Sequence, residues 1–316
     1  MFWKTQINVL RACPPLCYVV SGAGLGAAFS GKVWLKSLAV LAVQTPRAIF
    51  QHWHNRREGR VVLSRVTILV TTRCTLSCDK CAGHIPDCKR HEDVPIAELI
   101  NDIRALLACV DFIYHFVITG GETFLYPDLE QLIQFCADQE KIGEICIMTN
   151  GTVIIEAKTL AALKTSKSVV KISKFPKNLQ PNVEELKQTL KENEIRHLHE
   201  MGTQWDDMGK LGKLQLGDAE QRFHICFLRL CTQILRGRLY LCPKTALLEQ
   251  EGILANCESD SIDLHATDPS QFAGKLRTLL KRPVVAACSY CLGCTYKTPK
   301  VPVAVQRSPN ARKEAR

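Results

Sequence analysis

Residues 71–81 read T-T-R-C-T-L-S-C-D-K-C and place Cys74, Cys78 and Cys81 at C-x3-C-x2-C spacing. They follow the apolar run 66–70, so we expect the cysteines on a loop that leaves a strand. Three thiolates this close can bind three irons of a cubane cluster. No fourth ligand lies in the loop, which leaves one iron open to a small molecule, as catalytic metal sites keep an open position. Zinc sites more often carry two C-x2-C pairs, so the spacing favours iron–sulfur over zinc.

The composition is that of a globular protein with an excess of positive charge. Of the 316 residues, 46% are hydrophobic and 23% are charged, and the net charge is +10, which suits one large domain or two smaller ones. Residues 47–65 and 297–316 are rich in lysine and arginine. Such ends are either solvated or contact membrane phosphate or an anionic substrate. The sequence has no basic pattern interleaved with aromatic residues, so we expect no nucleic acid partner.

The sixteen cysteines are clustered along the chain. One group lies at 74–88 and a second at 226–294, whereas Cys109, Cys136 and Cys146 occupy apolar patterns and are expected in the core. Clustered cysteines in a long chain indicate a metal protein in a reducing compartment. We therefore predict a cytoplasmic protein, peripheral to a membrane if its N-terminal extension makes such a contact.

From residue 66 onward, strand and helix patterns alternate. The expected strands are 66–72, 112–119, 144–148, 169–172 and 195–199, and the expected helices are 95–110, 129–135, 160–163 and 183–190. This alternation predicts an α/β fold with parallel strands and helical crossovers, either a barrel or a doubly wound sheet. In both folds ligands bind at the carboxyl ends of the strands. The cysteine loop and Gly120, Gly121, Glu122, Asn150 and Ser173 follow such ends.

Residues 1–62 form an N-terminal extension that is predicted to be partly helical. Residues 12–31 are uncharged, but prolines and glycines interrupt them. Residues 33–53 are amphipathic and are followed by Arg56 and Arg57. The extension is then a packed segment, or it lies on a membrane surface with its basic flank on phosphates. A cleaved signal peptide is a third alternative, although export would not suit an oxygen-sensitive cluster.

The alternation stops after residue 200. Residues 201–222 are predicted to be a loop or linker into a second module. Residues 237–243 are predicted to be one arm of a hairpin that presents Cys242. Residues 299–316 are rich in proline and charge, so we expect a disordered basic tail.

Cys74, Cys78 and Cys81 after one strand, with Gly120-Gly121-Glu122 after the next, resemble the radical S-adenosylmethionine (radical SAM) superfamily. The resemblance extends over residues 66–201. It implies a partial (β/α)6 TIM-like barrel, here residues 63–215. It also implies that the three cysteines bind a 4Fe-4S cluster, whose open iron takes the amino and carboxylate groups of S-adenosyl-L-methionine.

The resemblance further implies which residues contact S-adenosylmethionine. The backbone of Gly120 and Gly121 and the region of Glu122 would accept from its methionine amino group, because glycine lets backbone approach a ligand without an intervening Cβ. Asn150 and Ser173 would lie near the ribose and the carboxylate. The sequence departs from the family at Lys80, where most members have an aromatic or large apolar residue that packs near the adenine.

Residues 216–298 resemble the auxiliary-cluster modules of the same superfamily, which are the SPASM type and the shorter twitch type. The pattern Cys226-x10-Gly237-x4-Cys242 fits their opening. The resemblance implies one auxiliary iron–sulfur cluster with the ligands Cys226, Cys242, Cys288 and Cys291, and with Cys231 and Cys294 as alternates. A structural zinc ion in this module is the competing interpretation.

These parts imply an enzyme that cleaves S-adenosylmethionine reductively to a 5′-deoxyadenosyl radical, which abstracts hydrogen from an organic substrate. The implied reductant is a protein such as flavodoxin or ferredoxin. The substrate is a peptide, as for RiPP maturases, or a small molecule such as a sugar, a nucleotide or a lipid-linked compound. The alternative is a non-catalytic iron–sulfur or zinc protein. We assign no catalytic acid or base, although the candidates are His84, His197, His199, Tyr114 and Trp205.

Overall fold

The structure is a computed structural model that describes residues 50, 53–55, 57–199, 204–214 and 217–308. Its strands are β1 Val62–Thr71, β2 Phe112–Gly120, β3 Ile142–Thr149, β4 Ser168–Ile172, β5 His197–His199, β6 Gln204–Asp206, β7 Thr232–Leu235, β8 Arg238–Tyr240, β9 Ser261–Asp263 and β10 Lys300–Pro302. Its α-helices are α1 Ile96–Cys109, α2 Leu129–Ala137, α3 Ala157–Ala162, α4 Val183–Glu192, α5 Ala219–His224, α6 Pro243–Gln250 and α7 Pro269–Leu280.

The main sheet runs in the order β5-β4-β3-β2-β1-β7-β8-β9. Strands β1 to β5 are parallel, and β7 pairs in parallel with the other side of β1. Strands β8 and β9 then add on in antiparallel fashion. The prediction of an α/β fold with parallel strands and helical crossovers is therefore confirmed. Among the described strands the sheet is open, with β5 and β9 at its edges, as a partial barrel requires.

Helix α1 illustrates how the sequence builds the layer that covers this sheet. Leu99, Ile103 and Leu106 recur at helical spacing and are each no more than 2% exposed. Pro95 precedes the first turn, and the chain is extended again at Val110. Strands β3 and β4 are mostly buried runs, as expected for parallel strands with both faces covered.

The predicted hairpin around residues 237–243 is present, and it extends the main sheet. Arg236 and Gly237, with φ of 47° and 74°, form the two-residue turn between β7 and β8. Because β7 bonds to β1, the strand that carries Cys242 at its end lies two places from the strand that carries Cys74. The two cysteine groups therefore share one scaffold, and the division of the chain at 215/216 stays a prediction.

Two expectations about irregular segments were wrong. The predicted linker 201–222 contains the short strand β6 and the beginning of helix α5. Part of the predicted disordered tail is ordered, because β10 pairs antiparallel with β6 and Arg307 donates to the Ser77 carbonyl at 2.8 Å. The composition of the tail could not predict these contacts, because they depend on partners about 100 to 230 residues away in the sequence.

The N-terminal extension falls largely outside the described residues, so its predicted helix and membrane contact stay predictions. Within the described part of the chain, no helix has both the length and the apolar character needed to cross a bilayer.

Candidate cofactor and metal site

The cysteine loop begins where β1 ends, and Asp93 holds its base. The Thr71 hydroxyl donates to Asp93 Oδ1 at 2.6 Å, and Arg73 Nη1 lies 2.7 Å from Asp93 Oδ2. Cys74 and Cys81 are half-buried, and Cys78 is 7% exposed. The loop is thus fixed at its origin, and two of its three cysteines remain partly exposed.

Gly120 and Gly121 let the end of β2 touch this loop. A Cβ on Gly120 would lie 2.6 Å from the Thr71 carbonyl oxygen, and one on Gly121 would lie 2.2 Å from the Arg73 carbonyl oxygen and 2.8 Å from Cys74 Cβ. The Gly121 N–H donates to the Thr71 carbonyl at 2.9 Å. The close approach that glycine permits is therefore made here to the backbone of the cysteine loop.

Glu122 turns its carboxylate into the protein. It is 0% exposed and accepts hydrogen bonds from Phe124 N at 3.0 Å, Thr149 Oγ1 at 2.8 Å and Asn150 N at 2.7 Å. Burial raises the pKa of this carboxyl, and the three hydrogen bonds oppose that rise. In this structure the Glu122 side chain ties the end of β2 to the end of β3.

Asn150 at the end of β3 reaches back to the cysteine loop. Its Nδ2 donates to Thr75 Oγ1 at 3.0 Å and lies 3.6 Å from Cys74 Sγ. Its Oδ1 accepts from Thr152 N at 2.9 Å, which fixes the orientation of the amide. The structure therefore brings Asn150 beside the first cysteine.

Ser173 follows β4 and joins the same edge of the sheet through its backbone. Its N–H donates to the Thr149 carbonyl at 2.9 Å, and its carbonyl accepts from Gln180 Nε2 at 2.7 Å. The same Gln180 amide also donates to the Asn150 carbonyl. Gln180 is 3% exposed and joins the ends of β3 and β4. The sequence around Gln180 contains no pattern that would predict this role.

The side chain of Lys80, the residue that departs from the family pattern, forms an ion pair. Its Nζ lies 3.0 Å from Asp207 Oδ2, and Asp207 also accepts from the Gly209 N–H at 2.9 Å. Lys80 therefore ties the cysteine loop to the segment that follows β6, through an ion pair that the sequence could not reveal.

Burial disfavours the charged form of the three thiols of the cysteine loop. Burial raises the pKa of each, and it raises that of Cys78 to about 11. All three sulfurs accept N–H groups: Cys74 from Leu76 N at 3.4 Å, Cys78 from Gln306 Nε2 at 3.2 Å, and Cys81 from the backbone of residues 83–85. Such donors stabilise negative charge on sulfur, so they suit thiolates that have lost their protons to a metal.

Across the residues that the structure describes, no three His, Cys, Asp or Glu side chains converge closely enough to hold a single metal ion. A cubane cluster does not require that convergence, because each cysteine binds a different iron and the sulfurs stand farther apart. The N–H donors to the sulfurs suit metal-bound thiolates, as an iron–sulfur cluster requires.

The four predicted auxiliary ligands line one small cavity. Cys226, Cys242, Cys288 and Cys291 face it together with Arg222 and Lys244. All four thiols are at most 9% exposed. Burial, and to a smaller extent neighbouring thiols, raises the pKa of Cys226 to about 11 and that of Cys288 to about 12. The tertiary structure thus gathers cysteines that are 65 residues apart in the sequence.

Two arginines that the sequence reasoning missed surround this group. Arg222 donates to the carbonyls of Cys291 at 3.1 Å and Cys288 at 2.8 Å, so it clamps the C-terminal cysteine pair. Arg229 is 8% exposed, and its Nε has no hydrogen-bond partner within the described ranges. Burial lowers the pKa of Arg229, and Cys226 and Cys288 raise it. A buried cation with an unused donor near Cys226 and Cys288 suits negative charge on those sulfurs.

The other cysteines near the two groups have defined contacts as well. Cys294 donates to Asp206 Oδ2 at 3.4 Å, and its backbone N–H donates to Cys226 Sγ at 3.4 Å. Cys231 is half-buried and lies near Cys226. Neither lines the cavity that holds the other four. Cys88 contacts the His84 carbonyl, whereas Cys257 belongs to a small apolar cluster.

Lys244 and His84 connect the two cysteine groups. Lys244 is 4% exposed and its Nζ contacts His84 Nε2, while the other ring nitrogen of His84 lies 3.3 Å from Asp87. Burial lowers the pKa of both Lys244 and His84. Because His84 directly follows the first cysteine group and Lys244 lies in the second, this contact joins the two sites.

The remaining acid–base candidates lie on β2, β5 and β6. His197 Nδ1 lies 3.0 Å from the Ile195 carbonyl, and burial lowers the pKa of His199. Tyr114 packs edge-on against Phe112 at 5.1 Å, and Trp205 packs likewise against Phe175 at 5.5 Å. None of these contacts assigns an acid or a base.

A comparison with protein families bears on this site. Residues 68–198 match the family model described as the Radical SAM superfamily. The match spans β1 to β5 and contains the three cysteines of the loop, the glycine pair and Glu122. No curated protein matches the chain.

Several solved structures are similar in fold. Native anSMEcpe with bound AdoMet and the Cp18Cys peptide is 20% identical, with a TM-score of 0.35, over 43% of this chain and 42% of that chain. Streptococcus suis SuiB bound to precursor peptide SuiA is 16% identical, with a TM-score of 0.36, over 51% and 37%. BtrN in complex with AdoMet and 2-DOIA is 14% identical, with a TM-score of 0.48, over 73% and 93%. The chain thus spans less than half the length of anSMEcpe and SuiB, and likeness of this size says nothing about substrate.

Proposed function

We propose that this protein is a radical SAM enzyme that binds a 4Fe-4S cluster through Cys74, Cys78 and Cys81. The observation that carries the proposal is the arrangement at the ends of β1, β2 and β3. Gly121 contacts the backbone of the cysteine loop, and Asn150 lies 3.6 Å from Cys74 Sγ. Together with the family match over residues 68–198, this arrangement supports one binding site built from the three strand ends.

With the cluster and S-adenosylmethionine bound, the site would supply reductive cleavage to a 5′-deoxyadenosyl radical that removes hydrogen from substrate. The chain's own residues hold and orient these groups. The three thiolates bind iron, and the backbone of Gly120 and Gly121 lies beside them at the site proposed for the methionine group. Asn150 and Ser173, at the next two strand ends, are proposed to face the ribose and carboxylate.

Glu122 acts on this site by positioning it. Its carboxylate accepts from the Thr149 hydroxyl and the Asn150 N–H, so it sets where β3 ends relative to the cysteine loop. Asn150 Nδ2 in turn donates to Thr75 Oγ1 within the cysteine loop at 3.0 Å, so the end of β3 and the loop are held together. We therefore propose that the side chain of Glu122 orients the cofactor site, and that the ligand meets the backbone of this region.

We further propose one auxiliary iron–sulfur cluster of SPASM or twitch type, held by Cys226, Cys242, Cys288 and Cys291. The shared cavity of the four thiols and the unused donor of buried Arg229 support it. The proposed reductant is a small electron carrier such as flavodoxin or ferredoxin. The proposed substrate is an organic molecule, either a peptide or a small molecule.

The test is anaerobic reconstitution with iron and sulfide, followed by dithionite and S-adenosylmethionine. We expect 5′-deoxyadenosine and methionine in equal amounts, and about eight irons and eight sulfides per chain, because each cubane holds four of each. A fully loaded chain that forms no 5′-deoxyadenosine would overturn the enzyme proposal. About four irons together with zinc would keep the first cluster and replace the second by a structural zinc ion.

A further inference from the structure

The C-terminal strap, residues 303–307, lies against the cysteine loop. Cys78 and Gln306 form an isolated antiparallel bridge. The Asp79 N–H donates to the Val305 carbonyl at 2.8 Å, and the Arg307 N–H donates to the Ser77 carbonyl at 2.8 Å. Residues 77–79 and 305–307 therefore pair as a minimal two-stranded ribbon around the second cysteine.

Both ends of this strap are anchored. On one side, β10 immediately precedes it and pairs with β6. On the other side, Arg307 Nη2 donates to Asp87 Oδ1 at 2.7 Å, and the Arg307 side chain is only 15% exposed. A segment held at both ends loses little further freedom when Gln306 makes a contact, so the position of that side chain is set in advance.

The hydrogen bonds of Gln306 fix which atom faces the sulfur. Its Oε1 accepts from the Ser77 N–H at 2.8 Å, and its Nε2 donates to the Ala304 carbonyl at 2.7 Å. Rotating the amide by half a turn would set Nε2 against the Ser77 N–H and Oε1 against the Ala304 carbonyl, which pairs donor with donor and acceptor with acceptor. The amide N–H group is therefore the one directed at Cys78 Sγ, at 3.2 Å.

We propose that Gln306 tunes the reduction potential of the cluster bound by Cys74, Cys78 and Cys81, by donating a hydrogen bond to the Cys78 thiolate. This inference rests on the proposed function of the site. Hydrogen bonds to cluster sulfurs are among the features that set the potential of an iron–sulfur cluster. A donor stabilises the reduced cluster more, because the reduced form carries one more negative charge. Gln306 thus makes the cluster easier to reduce, and it is a positioning residue that acts through Cys78.

The test compares the potentials of reconstituted full-length variants by redox titration followed with electron paramagnetic resonance. Gln306→Leu removes the donor, and we expect a midpoint shifted to more negative values. Gln306→Glu keeps an acceptor for the Ser77 N–H but replaces the donor by a charge, so its midpoint should shift further in the same direction. Val305→Ala alters a half-exposed neighbour whose contact to the loop is made by its backbone, and its midpoint should equal that of the wild type.

The outcomes separate this inference from the proposed function. The relevant signal is the one that Cys78→Ala abolishes. If that signal is present and both Gln306 variants titrate at the wild-type potential, the role of Gln306 is overturned while the cluster stands. If the wild type lacks such a signal and its bound iron, the proposed function fails first. If both variants lose the cluster altogether, Gln306 serves to retain the loop, and tuning is overturned.

Discussion

The two cysteine groups lie on one sheet but differ in their access to solvent. In the first group Cys78 is 7% exposed but Cys74 and Cys81 are only half-buried, whereas all of Cys226, Cys242, Cys288 and Cys291 are at most 9% exposed. Catalytic metal sites keep a position open, and structural sites are closed. The first group therefore suits a cluster that meets a small molecule, and the second suits a cluster enclosed by protein.

The two groups are also held in different ways. The first depends on distant side chains and strand ends, among them Asn150 and Gln306. The second is clamped by Arg222 through two carbonyls and lies near the buried charge of Arg229. The same sheet therefore supports one cysteine group that is held by side chains from distant segments and one that is enclosed by protein. Four substitutions test it.

Cys78→Ala should have the largest effect, because it removes a proposed ligand of the open cluster. We expect no 5′-deoxyadenosine above background, and about four irons instead of about eight per chain. Cys88→Ala is the matched control, since Cys88 is also buried in this part of the chain, outside the motif. Product formation is followed by chromatography and iron by colorimetric assay. Undiminished cleavage in Cys78→Ala would show that the open site lies elsewhere.

Cys242→Ala should empty the enclosed site and leave the open one loaded. Iron should again fall to about four per chain, because one cubane is lost, while cleavage of S-adenosylmethionine without substrate continues. Cys257→Ala, at a buried thiol outside the cavity, should keep the full iron content. If Cys242→Ala retains all its iron and instead releases zinc, the enclosed site is a zinc site.

Glu122→Gln tests the link between β2 and β3. The glutamine amide would place an N–H group against at least one of the three donors from which Glu122 now accepts hydrogen bonds. That buried donor would then have no acceptor. We expect the free energy of unfolding to fall by about 1–3 kcal/mol. Denaturant titration of the metal-free chain measures it. Glu184→Gln, whose side chain is 77% exposed and pairs with Lys187, should leave stability unchanged, because exposed ion pairs contribute little. Equal losses in the two variants would contradict the structural role of Glu122.

Lys80→Ala should have the smallest effect. The Lys80–Asp207 pair is partly exposed, with side chains 25% and 18% accessible, so its loss should cost less than about 1 kcal/mol of stability. If Lys80 serves only to tie the loop to the segment after β6, binding of S-adenosylmethionine should be nearly unchanged. A tenfold weaker affinity by equilibrium dialysis would instead assign Lys80 to the cofactor site.

Local patterns predicted the fold well because they reflect local causes. The spacing of Leu99, Ile103 and Leu106 predicted α1, and short β-branched runs predicted the parallel strands. Strand ends were less accurate, since β1 begins at Val62 instead of near residue 66. The disordered tail was wrong because proline and charge describe composition, whereas the order of residues 300–307 comes from Ser77, Asp79 and Asp87.

The sequence by itself determined the α/β class, the order of strands and helices as far as β5, and the two groups of cysteines. Those features depend on periodicity and spacing, which are written within short stretches of chain. Only the tertiary structure decided that Glu122 is turned inward, that Lys80 pairs with Asp207, and that Gln306 reaches the first cysteine loop from 228 residues away. Hydrogen bonds and ion pairs between distant segments have no signature in either segment alone, because each partner is an ordinary polar residue until the fold brings it to the other. For the loop at 71–81, the sequence therefore predicted the candidate ligands, and the fold supplied the residues that surround them.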